Sequence, residues 1–241
     1  MTAAVRVGLS SGCDPKLTAS ELAALTLSLG GDVVDLRADK GHRWEEDGLP
    51  AVRAQGVGVA FVGLSLVLGD PRWDPETLHR SLSVPDVGVP VKVFAADGCN
   101  TSGRELTLRQ LQALESLGVR PCAVLVETHH GYATIPELLD LCDVFGVRVL
   151  VDTMGLVRLV GGADEALRAL PLLAPRTDAV QVKGFDWESP ELSRHLALSA
   201  CEKPTRHVLD ALPRTATATV ESKAGCLDRD VPLLRAWLGL S

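Results

Sequence analysis

The sequence predicts an α/β protein, a (β/α)8 TIM barrel in a single domain over residues 1–241, and three observations carry that expectation. Short β-branched apolar runs alternate with segments of helical spacing along the whole chain, without consecutive hairpins or a linker between halves. Each intervening helix returns the chain to the same edge, which makes neighbouring strands parallel. A length of 241 residues suits eight such units. An open doubly wound sheet is the alternative, but the turn after the first strand, SSGCDPK, lacks GxGxxG, and no GxxxxGK[ST] occurs.

In chain order, Val5 to Gly12 reads as the first strand, followed by a helix over Thr18 to Leu29 with a glycine pair after it. Val33 to Ala38 is the second strand, carrying Asp35 and Arg37 at period two. A polar loop, DKGHRWEEDG, leads to a short helix over Leu49 to Gln55, and Val57 to Leu68 is a long third strand. A helix is expected over Pro75 to Ser83, with proline in its first turn. Val89 to Ala96 is the fourth strand, with Lys92 inside its apolar run, and Arg104 to Leu117 is an amphipathic helix stopped by Gly118. The fifth strand lies in AVLVETHHG, Ala123 to Gly131, and is followed by a helix over Ile135 to Phe145. Val147 to Thr153 is the sixth strand, Ala163 to Leu173 a helix and Ala179 to Phe185 the seventh strand. Ala218 to Gly225 is the eighth, and Val231 to Leu238 closes the chain as a helix. Prolines 190, 204 and 213 obscure the helix boundaries between Asp186 and Ala216.

A net charge of -7 with no basic run argues against a nucleic-acid partner. The N-terminus lacks the pattern of a signal peptide, and no apolar run approaches the ~20 residues needed to span a bilayer. A cytoplasmic protein with no membrane partner is expected. Six cysteines, at 13, 99, 122, 142, 201 and 226, show no CxxC pair. Cys122, at the base of the fifth strand, and Cys142, on an apolar helix face, read as packed structural thiols.

Ligands in barrels of this kind bind at the carboxyl ends of the strands. There the sequence offers Glu127, Thr128, His129 and His130 on strand five and Asp152 on strand six. Strand seven offers Gln181 with Lys183, and strand eight offers Glu221 with Lys223. Period two puts each pair on one face. Three carboxylates converging in a closed barrel repel one another and require a divalent cation, neighbouring ammonium groups or bound protons.

The order ETH, VLVDT, VQVKG and TVES, with DLR on strand two and VAFVGL on strand three, resembles the xylose isomerase-like barrel superfamily. That family includes sugar-phosphate isomerases, ketose epimerases and inosose dehydratases. The resemblance implies a divalent ion, manganese, magnesium or cobalt, held by Glu127, Asp152, Gln181 and Glu221. It also implies Glu127 and Glu221 as the acid/base pair that moves a proton beside a carbonyl of a small polyhydroxylated substrate. Gln181 stands where the family usually has histidine, and no histidine follows three residues after Asp152; a neutral amide favours magnesium or manganese over zinc. The abasic-site endonuclease branch needs many more histidines than the strand ends provide.

Two alternatives stand beside this reading. Lys183 or Lys223 could attack a carbonyl as a Schiff-base lysine in a dehydratase or aldolase, with Glu127 or His129 carrying the proton, although each lysine could also simply pair a carboxylate, Lys223 with Glu221 for instance. A non-catalytic barrel that binds a small molecule is the other. His129, Arg37, Lys92 and Lys223 are expected to contact substrate; Arg37 could instead pair with Asp35 or Asp39, and Arg158 is equally ambiguous. His42 reads as a solvated loop histidine, Trp44 and Trp73 as loop residues and His130 as the cap of the next helix. A homo-oligomer is compatible with all of this.

Overall fold

The computed structural model describes residues 5–72, 88–189, 194–214 and 216–240. Eight parallel strands form a closed barrel in chain order: β1 Val7–Ser10, β2 Val33–Arg37, β3 Gly58–Leu68, β4 Val91–Ala95, β5 Val124–Glu127, β6 Arg148–Asp152, β7 Thr177–Val182 and β8 Thr217–Val220. Closure comes from β8 pairing with β1, Val7 opposite Ala218 and Leu9 opposite Val220. The strands are buried on both faces, as their near-continuous valine and leucine runs require.

Two apolar layers result. The larger lies between the outward strand faces and the helices, and includes Val34, Val62, Val93, Val126, Val151 and Val180. The smaller is a separate cluster of Phe61, Leu125, Leu150 and Ala179. The last three lie two residues before Glu127, Asp152 and Gln181, so period two places those polar groups on the same inward face, one step nearer the carboxyl mouth. The small cluster is therefore the floor under the candidate site.

Around the barrel, α1 spans Ala19–Ser28, α2 Trp44–Ala54, α3 Arg104–Ser116, α4 Ile135–Phe145, α5 Thr153–Val160, α6 Ala163–Leu173, α7 Glu202–Ala211 and α8 Leu227–Trp237. Capping boxes start α1, through Thr18 and Glu21, and α4, through Thr134 and Glu137. Thr134 thus takes the capping role expected of His130, whose carbonyl instead accepts a bond from the His129 ring. Helix α2 begins five residues before the expected Leu49 and is broken at Gly48, φ 73°. Its early start follows from Glu45, which accepts the backbone N–H groups of Asp39, Lys40 and His42 and folds the loop into a first turn. Trp44 is buried there as packing.

Helix α5 was not anticipated, and α8 starts at Leu227 rather than Val231. The proline-rich stretch contains α7, with Pro204 accommodated in its first turn. The helix expected over residues 75–83, and Trp73, fall outside the described residues. All six cysteines are free. Cys142 is buried as expected, whereas Cys122 is exposed, because Pro121–Ala123 forms a short 3-10 turn that carries it outward before β5 begins. Among the described residues no helix is long and apolar enough to cross a membrane.

Candidate active site

Seven of the nine sequence-selected residues gather at the carboxyl mouth, six of them in two sets of ion pairs and Gln181 through a hydrogen bond of its amide. Lys92 Nζ on β4 lies 2.6 Å from Glu127 Oε2 on β5. Lys183 Nζ, just beyond β7, lies 2.6 Å from Asp152 Oδ2 on β6 and 3.4 Å from Glu221 Oε2, just beyond β8. Arg37 Nη1, at the end of β2, approaches the other Glu221 oxygen at 3.2 Å. Arg37 therefore reaches past β1 to pair with Glu221, a partner its sequence position did not suggest. Glu127, Asp152 and Glu221 are buried, so each of these charges needs its partner.

Gln181 faces down toward the floor. Its Nε2 donates to Asp35 Oδ2 at 3.2 Å, and Thr219 Oγ1 donates to the same oxygen at 2.5 Å. Asp35 is fully buried, and desolvation pushes its carboxyl up to about 6 despite the Ser10, Thr219 and Gln181 hydrogen bonds that favour its charge. Sequence reading treated Asp35 only as a partner for Arg37.

The other shifts follow from the same geometry. Burial raises Glu221, but Lys183, Arg37 and Lys92 outweigh it and hold the carboxyl below the usual glutamate range. Burial opposes the charge on Lys183, but Asp152, Glu221 and Glu127 outweigh it and push the ammonium above the ordinary lysine range. Cys13, whose thiol sits between the Val220 carbonyl and the Ser222 N–H, is pushed up to about 12 by burial and is no nucleophile at neutral pH.

The mouth is stitched together by threonines. Thr128 Oγ1 accepts from the Asp152 N–H at 3.0 Å, and Thr153 Oγ1 accepts from the Lys183 N–H at 2.9 Å. Asp152 also caps α5, its Oδ1 accepting from the Gly155 N–H at 2.7 Å. One carboxylate thereby holds both the helix and the Lys183 ammonium. The cap depends on a close approach: a Cβ on Gly155 would stand 2.1 Å from the Thr128 backbone oxygen. Gly155→Ala is expected to lower Tm by roughly 3–10 °C in a thermal melt, because overpacking against backbone costs about 1–3 kcal/mol and outweighs alanine's better helix propensity.

Three residues depart from expectation. His42 is buried, 8% exposed, with Nδ1 3.2 Å from Ser11 Oγ. Desolvation and nearby Arg37 lower its pKa, which favours the neutral ring. His195 was missed: it is half-buried, its Nδ1 lacks a hydrogen-bond partner, and burial and Lys183 lower its pKa. Lys223 is exposed, and its charge acts on His42 and His195, while Glu221 takes Lys183 and Arg37 as partners. At the rim, His129 Nδ1 donates to the His130 carbonyl at 2.8 Å. The His129 ring stands edge-on to Phe94 and Tyr132, which stack at 4.7 Å, and Lys92 Nζ lies 4.0 Å over Phe94. Arg158 sits in the last turn of α5.

These residues do not fit the divalent ion that the sequence resemblance implies. Glu127, Asp152 and Glu221 each hold a side-chain cation, and the Gln181 amide is turned to Asp35. Among the described residues no group of three His, Cys, Asp or Glu side chains is arranged to hold a metal ion.

No family model and no curated protein sequence matches the chain. Solved structures match over nearly its whole length. A D-tagatose 3-epimerase-like protein superposes with a TM-score of 0.69 at 13% identity, over 98% of this chain and 97% of the other. A xylose isomerase domain containing protein from Salmonella typhimurium gives 0.67 at 14%, over 98% and 96%. Endonuclease IV from Thermus thermophilus gives 0.66 at 21%, over 97% and 99%. At these identities the likeness establishes the fold, the closed eight-stranded (β/α)8 barrel that this chain shares with these proteins.

Proposed function

We propose that this barrel moves a proton next to the carbonyl of a small polyhydroxylated compound, as an isomerase or epimerase does. The observation that carries the reading is the placement of Glu127 and Glu221. They project from β5 and β8, three strands apart, into one mouth, and Lys183 acts electrostatically on Glu221 while itself being acted on by Glu127. Removing a proton beside a carbonyl needs a carboxylate base and a positive charge at the developing enediolate oxygen. Glu221, kept ionised by Lys183 and Arg37, takes the carbon-bound proton. A proton from solvent is returned through Glu127 on its own side, 2.6 Å from the Lys92 ammonium, while Glu221 releases the one it took to solvent. Ser11, Arg37, His42 and His129 offer hydroxyl-binding groups, and the Phe94–Tyr132 stack offers an apolar wall.

The manganese, magnesium or cobalt ion of the family resemblance has no part in this reading, because its expected ligands are neutralised by Lys92, Lys183 and Arg37. A Schiff base on Lys183 is disfavoured for a related reason: the raised pKa keeps its lone pair protonated. The fold likeness to endonuclease IV raises a DNA substrate, against which stand the net charge of -7 and the pairing of Lys92, Lys183 and Arg37 with carboxylates rather than phosphates.

The test is deuterium wash-in. Protein in D2O is incubated with ketopentoses, ketohexoses and inososes, and the hydrogens beside each carbonyl are followed by proton NMR. Loss of signal at one such position above the protein-free rate is the expected result. No exchange with any member of the panel sinks the proposal.

A further inference from the structure

The placement of Lys183 carries a consequence for the site's cation. Strand β7 lies between β6 and β8, so a side chain just past its end stands between Asp152 and Glu221. Lys183 Nζ occupies that position, 2.6 Å from one carboxylate and 3.4 Å from the other. Its stem reaches there from a segment held by two hydrogen bonds, Lys183 N–H to the Thr153 hydroxyl and Leu196 N–H to the Gly184 carbonyl at 2.8 Å. Gln181, two residues earlier on the same face, is drawn away from the carboxylates by Asp35. Lys92 and Arg37 complete the neutralisation of Glu127 and Glu221.

We propose that the Lys183 ammonium is a built-in cation that replaces a divalent ion at this mouth, so that the site binds no such ion and presents Lys183 to the substrate oxygen. The geometry and charge explain why both cannot be present. A divalent ion bridging Asp152 and Glu221 would occupy the space of Nζ and would lie beside a fixed positive charge. An ammonium offers N–H donors in place of open coordination positions, so it polarises an oxygen by hydrogen bonding and charge. The exclusion of the ion stands on these contacts alone, while the electrophilic role rests on the proton-transfer reading.

The experiment is a manganese titration of the chelator-treated protein, followed by electron paramagnetic resonance and by thermal melting, for the wild type, Lys183→Met and Lys183→Gln. The wild type is expected to bind no manganese below millimolar concentration and to keep its Tm. Removing the ammonium leaves two buried carboxylates uncompensated, so Tm should fall by roughly 6–20 °C. Manganese should then restore much of the loss, and bind at about one equivalent at least ~100-fold more tightly than to wild type. Adding Asp152→Asn to either variant should abolish that binding. Stoichiometric binding to the wild type, weakened by Asp152→Asn, overturns the inference, as do folded Lys183 variants that gain no manganese site. If neither variant folds, the wild-type titration decides alone: absence of binding supports the inference and stoichiometric binding ends it. A wild type that binds manganese yet still exchanges deuterium would overturn this inference and leave the proton-transfer reading in place.

Discussion

Glu221→Gln is expected to slow deuterium exchange beside the substrate carbonyl by about 10²–10⁴-fold, the range a positioned general base contributes. Glutamine keeps the shape of the side chain and can still accept from Arg37 Nη1, now 3.2 Å from a Glu221 oxygen, but it removes a charge that Lys183 and Arg37 favour in the folded state, so Tm should also fall and rates are compared where both proteins are folded. What it loses is the basic carboxylate. Glu127→Gln should differ in kind. If Glu127 serves the second face of the carbon, exchange at the face served by Glu221 persists while epimer formation fails, and the two are separated by comparing wash-in with product formation. The pH profile supplies an independent check. The charged form of Glu221 does the work and its pKa is held below the ordinary value of 4.5, so activity falls only as pH drops below that value. A loss centred above the usual glutamate range, or a Glu221→Gln variant with full exchange on a substrate the wild type turns over, would remove Glu221 from the role of base.

The strand-end residues were legible for a simple reason. A parallel strand ends abruptly at its polar mouth and period two fixes which side chains share a face, so Glu127, Asp152, Glu221 and Lys183 could be placed together from residue spacing. The partners they choose depend on three-dimensional reach that spacing does not encode. Arg37 reaches past β1 to Glu221, and Gln181 turns to Asp35 because two donors, Gln181 Nε2 and Thr219 Oγ1, converge on one buried oxygen. His42 was misjudged because its burial is produced by Glu45 gathering three loop N–H groups, a tertiary arrangement written in a stretch that reads as polar loop. His195 lay in the proline-rich segment and is positioned by the Gly184–Leu196 bridge, a pairing between residues twelve apart with no hairpin signature. Helix α5 escaped notice because its cap is Asp152, a residue assigned to the site, and because its eight residues follow β6 without a loop.

Asp35→Asn is expected to stabilise the protein at neutral pH and to do so less and less as pH falls. The carboxyl is fully buried and titrates near 6, against 3.8 unperturbed. A carboxyl with a raised folded pKa binds its proton more tightly in the native state, so folding takes up a proton between those two values. Stability from this group is therefore greatest below about 4, declines as pH rises through the window, and is lower by about 3 kcal/mol once pH exceeds 6. Glu221 and Glu137, whose pKa values are lowered, act with the opposite sign, losing stability as pH falls, so the wild-type melting curve alone would not isolate Asp35. The difference between variant and wild type does. Asparagine keeps an oxygen to accept from Thr219 and Gln181 and carries no charge to desolvate. The Tm gain should be near zero at pH 4 and reach roughly 6–12 °C at pH 7.5. A gain independent of pH would mean that Asp35 does not titrate in this window.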